Sequence, residues 1–219
     1  MSRSSRRVRA AVLVTAIIVC ARPATAQQAP APLTPAEKAQ ADSGRPPYSP
    51  ADVHFMQGMI AHHSQAVVMA GWAPSHGARA DVLRLCARIV VAQRDENLTM
   101  QRWLQEHHET VPEADFQYPP KGMAGMPGMD GMLMPGMLTP EQMEQLNHAH
   151  GPDFDRLFLT FMMQHHLGAL TMVGQLFDSQ GAAQDDRIFK FASDVSADQM
   201  AEIGRMRTML SLPPAGSAP

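Results

Sequence analysis

The chain has 219 residues, 45% of them apolar and 18% charged, which is enough to build a core and too apolar for a disordered chain. Aromatic residues make up only 5%, which argues against a Trp/Tyr-rich β-sandwich. The formal net charge is −3 and becomes about −8 when the basic N-terminal segment is removed, an acidic balance that does not suit nucleic acid.

Residues 1–26 read as a secretory signal peptide. Arg3, Arg6, Arg7 and Arg9 form a basic head, Ala10 to Val19 an apolar stretch, and Ala24-Thr25-Ala26 a small-residue cleavage site. The apolar stretch is too short to span a bilayer, so the expected product is exported, periplasmic or secreted, with no stable membrane span. Cys20 leaves with the signal. Cys86 is then the only cysteine, which excludes an internal disulfide, and its apolar helical surroundings predict a small core residue.

Residues 27–48 are rich in Ala, Pro and Gln and read as a flexible N-terminal segment, with a short helix after Thr34-Pro35-Ala36-Glu37. Residues 49–110 read as a helical hairpin. Ser49-Pro50-Ala51-Asp52 starts a helix that reaches Gly71 or Trp72, Pro74 and Gly77 make the turn, and a second helix covers Ala80 to His107. Residues 111–137 are a Met/Gly/Pro-rich linker. Residues 138–210 hold a short capped helix from Thr139 and a second hairpin. Its helices run from Pro152 to about Asp178 and from Gln184 to Leu210, with a turn at Gly181. Residues 211–219 read as a tail. No period-2 strand pattern occurs.

The two hairpins repeat each other. Phe55, Met59, His62, His63, Ala66 and Met69 recur as Phe158, Met162, His165, His166, Ala169 and Met172 at an offset of 103, and Gln93, Glu96 and Met100 as Gln199, Glu202 and Met206 at 106. This is an internal duplication. A single hairpin would expose its apolar stripe, so the expected fold is all-α: a four-helix bundle made of two helix–turn–helix halves.

Helical spacing puts Met59, His62 and His63, and likewise Met162, His165 and His166, on the more apolar faces. Imidazole nitrogens and thioethers there suit a soft or borderline ion. Cu(I) or Ag(I) accepts sulfur well, and Cu(II) prefers the imidazoles. These six residues are the leading metal-ligand candidates, with Met100 and Met206 as secondary ones. Gln93, Glu96, Gln199 and Glu202 would orient the rings from behind. Adjacent histidines on a helix point about 100° apart, which works against all four meeting one ion. The alternatives are a structural or interaction bundle without metal, with hydrogen-bonded core histidines, and a metal-dependent redox enzyme. Di-iron bundles use Glu-x-x-His; here Met59 and Met162 replace the carboxylate, which removes charge and disfavours iron chemistry. No nucleophile triad, phosphate loop or paired acid/base arrangement occurs, so no enzyme is expected.

The linker supplies a second set of candidates. Met123, Met126, Met129, Met132, Met134 and Met137 fall within 15 positions of a Gly/Pro chain. Thioethers need no deprotonation and resist disulfide formation, which suits Cu(I) capture in an oxidising compartment. His107, His108, His148 and His150 could add ligands but taken singly read as solvated surface residues.

The motif Phe55-Met56-x2-Met59-Ile60-x-His62-His63-x2-Ala66-Val67-x-Met69-Ala70, its copy from Phe158 to Met172, and Met134-Pro135-Gly136-Met137-Leu138-Thr139-Pro140 resemble the domain of unknown function 305 family over residues 49–210. The resemblance implies an exported ferritin-like four-helix bundle, and copper or silver binding through Met and His in some members. Trp103 stands where the second half has Met209, so the halves need not bind equally. Metal ions are the expected partners, and no protein partner is identified.

Overall fold

The structure is a computed structural model and describes residues 33–41, 43–44, 47–118 and 133–211; the signal peptide expected at 1–26 lies outside them. The described residues form six helices and no strand: α1 (Pro35–Ala41), α2 (Pro50–Gly71), α3 (Ala80–Glu106), α4 (Pro140–His148), α5 (Gly151–Asp178) and α6 (Asp186–Ser211). None is long and apolar enough to cross a membrane. Ser49 caps α2 as expected and adds a capping box with Asp52, and Thr139 builds the capping box expected of it with Gln142.

Helices α2, α3, α5 and α6 form the bundle. Its interior is two apolar clusters separated by a polar waist. One cluster joins the start of α2 (Phe55, Met59) to the end of α3 (Met100, Trp103), the end of α5 (Val173, Leu176) and the start of α6 (Ile188, Val195). The other joins the opposite ends, through Met69, Leu85, Phe158 and Met206, and takes in Met143 and Leu146 of α4. Hence α2 runs antiparallel to α3 and α5 and parallel to α6. The end of α3 and the start of α5 lie at opposite ends of the bundle, so a long crossover joins the two hairpins. Cys86 sits in the second cluster as a core residue, and burial pushes its thiol up to about 12, with Asp155 adding to the shift.

The two halves hold each other's turns. Asp52, in the first turn of α2, accepts from the Ala183 N–H (2.7 Å) in the α5–α6 turn. Asp155, its equivalent in α5, accepts from the Arg79 N–H (3.2 Å) in the α2–α3 turn. Both carboxylates are buried. An unpaired buried N–H or carboxylate is costly, so these reciprocal caps fix how the hairpins dock.

The end of the linker, read from its composition as flexible, has no helix but is fastened across the α2–α5 seam. The Gln65 side chain donates to Leu138 O (3.0 Å) and accepts from Leu138 N–H (2.8 Å). Gly136 has φ +76 and lies on Gly168, where a Cβ would fall 1.9 Å from Pro135 O. Residues 134–138 thus form a strap that only a glycine at 168 admits.

Gly168→Ala should lower the melting temperature. Alanine is better than glycine in an isolated helix by ~1 kcal/mol, but the clash with the strap costs about 1–3 kcal/mol. Thermal unfolding checks this, and a melting point equal to or above wild type contradicts the strap contact.

Candidate metal centre

The waist between the apolar clusters is built from the duplicated histidines. His62 and His63 of α2 and His165 and His166 of α5 are all completely buried. Because α2 and α5 are antiparallel and adjacent residues diverge on a helix, His62 and His165 meet across the seam while His63 and His166 turn outward to the flanking helices. The His62 and His165 ring centroids are 3.8 Å apart at 40°. His63 Nε2 lies 2.7 Å from the Glu96 carboxylate of α3, and His166 Nε2 lies 2.7 Å from Glu202 of α6. Within each adjacent pair the centroids are 6.4 Å apart at 57° in both halves, so the duplication extends to side-chain geometry.

Partners fix which ring nitrogen donates. His62 Nε2 is 3.0 Å from Pro135 O in the strap, and a carbonyl only accepts, so Nε2 carries the hydrogen. The Glu96 and Glu202 carboxylates face the Nε2 atoms of His63 and His166 in the same sense. That leaves Nδ1 of His62, His63 and His166 buried with no protein hydrogen-bond partner; His63 Nε2, although 2.7 Å from Glu96, is not aligned for a hydrogen bond, and the His165 nitrogens have no partner beyond a weak approach to the His62 backbone. Each such atom costs about 1–3 kcal/mol in a dry core. A ring whose far N–H is held by a carbonyl or carboxylate while its near nitrogen is bare is the arrangement of a metal-ligating histidine. The donor set therefore fits a soft or borderline cation.

Electrostatics keeps the central pair neutral. Burial pulls the His62 pKa down to about 3, helped by His63 and His166 and opposed by the Pro135 carbonyl. Burial also lowers His165 well below its ordinary value, together with His62, His166 and His63, and only the His62 backbone opposes this. Outside the waist, desolvation raises the Asp198 carboxyl, and Glu96, Glu202 and Asp194 raise it further, so acidic groups gather behind His63 and His166.

The remaining candidates fall into place around this layer. Met59 packs in one apolar cluster with Met100, and Met162 in the other with Met206, all four fully buried. The thioethers therefore stand above and below the waist rather than in one ring with the imidazoles. Among the described residues no three His, Cys, Asp or Glu side chains are grouped to close on one ion. Glu96 and Glu202, not the amides, touch the rings: neither side-chain atom of Gln93 has a partner, and Gln199 Oε1 lacks one. Met134 and Met137 are half-buried in the strap, while Met123, Met126, Met129 and Met132 lie outside the described residues. His107 departs from its expected place on the surface. It is buried, its Nδ1 is 2.8 Å from Trp103 O, and its ring stacks on Trp103. His108, His148 and His150 are exposed. Sequence reasoning had no means of finding Pro135 O, because a backbone acceptor leaves no side-chain signature.

The family described as Domain of unknown function (DUF305) matches residues 52–210, and the chain belongs to it. A DUF305 fragment from Deinococcus radiodurans superimposes with TM-score 0.62 at 24% identity, over 75% of this chain and 98% of that one. A DUF305 protein from Streptomyces coelicolor assigned as secreted gives 0.59 at 28% identity, over 74% and 92%. CopM in its Cu(II)-bound form gives 0.55 at 24%, over 73% and 95%, and CopM is also known in Cu(I)-bound, Ag-bound and apo forms. Comparison with the curated proteins finds no match.

Acid should destabilise the fold through the central pair. The unfolded chain takes up a proton on each ring near pH 6.5 and the native state refuses it. Stability is therefore full above that value and falls as pH drops below it, by up to about 1.4 kcal/mol per pH unit for each ring, with the His62 loss extending to about pH 3. Urea unfolding between pH 7 and 5 should show this slope reduced in His62→Asn/His165→Asn. Parallel slopes for wild type and variant would contradict the assignment.

Proposed function

We propose that the protein is an exported copper- and silver-handling protein that holds Cu(I) or Ag(I) in the bundle waist, sequestering the ion or passing it on. The observation that carries this reading is the set of buried imidazole nitrogens without partners, in rings whose opposite N–H groups face Pro135 O, Glu96 and Glu202. His62 and His165 would supply the innermost donors, with His63 and His166 beside them. Met59 and Met162 stand three residues before His62 and His165, one helical turn from the rings. The bound ion would replace missing hydrogen bonds with donor–metal bonds. The protein's own contribution is to hold the tautomers, exclude water and keep the central rings neutral, since a protonated imidazole cannot bind metal. Cu(II), which prefers the imidazoles, is the other oxidation state the donor set could hold. The ion-bound forms of CopM, which shares the fold, support a cargo of this class. The N-terminal segment and the secreted assignment of the Streptomyces relative support export. No catalytic role is proposed.

A bundle without metal is the second reading, favoured by the absence, among the described residues, of three His, Cys, Asp or Glu side chains grouped for one ion. Titration of the full mature chain with Cu(I) against a competing chelator separates the two. The metal reading expects His62→Asn/His165→Asn to lose more affinity than the ~10–100-fold that removal of an outer-shell partner costs, because donors themselves are removed. Replacing Met123, Met126, Met129 and Met132 by Leu should lower the number of ions held and spare the tightest one. A histidine variant that competes as wild type overturns the inner site.

A further inference from the structure

Gly58 stands in the middle of α2, where an alanine would make a better helix. What the missing side chain leaves room for is the ends of two methionines, the sulfur of one and the methyl of the other. A Cβ at Gly58 would lie 3.0 Å from Met134 Sδ and 3.4 Å from Met172 Cε. Two thioether side chains, one from the strap and one from α5, thus converge on a bare patch of α2. Met172 is buried and Met134 half-buried, so the pair lies at the boundary between the core and the surface. The next strap residue is Pro135, whose carbonyl is the partner of His62 Nε2. The place is therefore joined through one peptide unit to the central imidazole pair. The strap is held in this position by Gln65 on Leu138 and by the Gly136–Gly168 contact, so Met134 is fixed and not a free linker methionine.

We propose that Met134 and Met172, over the cradle left by Gly58, form a thioether site for a soft monovalent cation, Cu(I) or Ag(I), distinct from the imidazole waist. It extends the metal reading outward to where an ion coming from solvent would meet sulfur before nitrogen. Neutral thioethers bind at any pH in the working range and prefer the soft monovalent ions over Zn(II) or Cu(II). Volume-matched Leu would fill the same space without offering a lone pair.

The test is a titration of the full mature chain, labelled with 13C at the methionine ε-methyls, with silver nitrate in chloride-free buffer. Met134→Leu and Met172→Leu assign the two resonances. Both methyls should shift together in wild type, and Met172 should need at least ten times more silver in Met134→Leu. Gly58→Ala, which fills the cradle while keeping the helix, should weaken the joint shift in the same way. The joint shift should persist in His62→Asn/His165→Asn, which has lost the imidazole pair. A Met172 methyl unmoved at silver saturation, or moved equally in Met134→Leu, overturns the site. The two readings fail separately. A silent Met172 beside an intact histidine effect on Cu(I) competition rejects only the thioether site. A joint methyl shift beside histidine variants that compete as wild type rejects only the waist.

Discussion

Four imidazoles closed inside the bundle, with too few protein hydrogen-bond partners for their nitrogens, are the constraint on which the rest of the structure turns. Three of them are oriented by oxygen: a strap carbonyl for His62 and carboxylates for His63 and His166. Those acceptors all face Nε2, leaving the Nδ1 atoms without partners. A core could avoid this cost with Leu at every one of these positions. Both halves carry the pair with the same ring spacing and tilt, the symmetry the proposed metal site requires.

The surrounding architecture keeps this layer rigid. Apolar clusters on either side exclude water and raise the cost of charging the rings, which is why His62 stays neutral to about pH 3. The reciprocal caps from Asp52 and Asp155 tie each hairpin to the other's turn and so set the docking angle that brings His62 over His165. The strap closes the α2–α5 side, and its backbone is itself a partner of the layer. Positions 136 and 168, both glycine, are where backbone segments approach too closely for a side chain, and Gly58 is where two methionine side chains lie against α2.

Much of this was legible in the sequence. The capping residues Ser49 and Thr139, the turns at Gly77 and Gly181 and the apolar periodicity gave helix limits within a few residues, and the repeated motif gave the paired hairpins. Helical phase turned the histidines inward but left Glu96 and Glu202 or Gln93 and Gln199 as their partners, and it is the carboxylates that reach the rings. Other features leave no such trace. Composition classed Met134–Met137 with the linker, because Gly and Pro look alike in a loose chain and in a tightly docked strap. Asp52 was read as a first-turn acid, and nothing local revealed that its second oxygen reaches the other half. His107 looked solvated because it stands alone in the last turn, yet Trp103 and Tyr48 pack on its ring. Nor could spacing tell that antiparallel docking would send Met59 and Met162 to opposite sides of the waist.

A layer so built suits an ion that accepts nitrogen and sulfur and tolerates low coordination number better than it suits hard, carboxylate-seeking iron. The bare Nδ1 atoms are the center of that account, and they can be watched directly. The decisive measurement is ring 15N NMR of histidine-labelled protein during silver addition. The account predicts that Nδ1 of His62, and a nitrogen of His165, move on binding while the His62, His63 and His166 Nε2 atoms keep their protons. Silver that binds the protein with all four rings unchanged would contradict it.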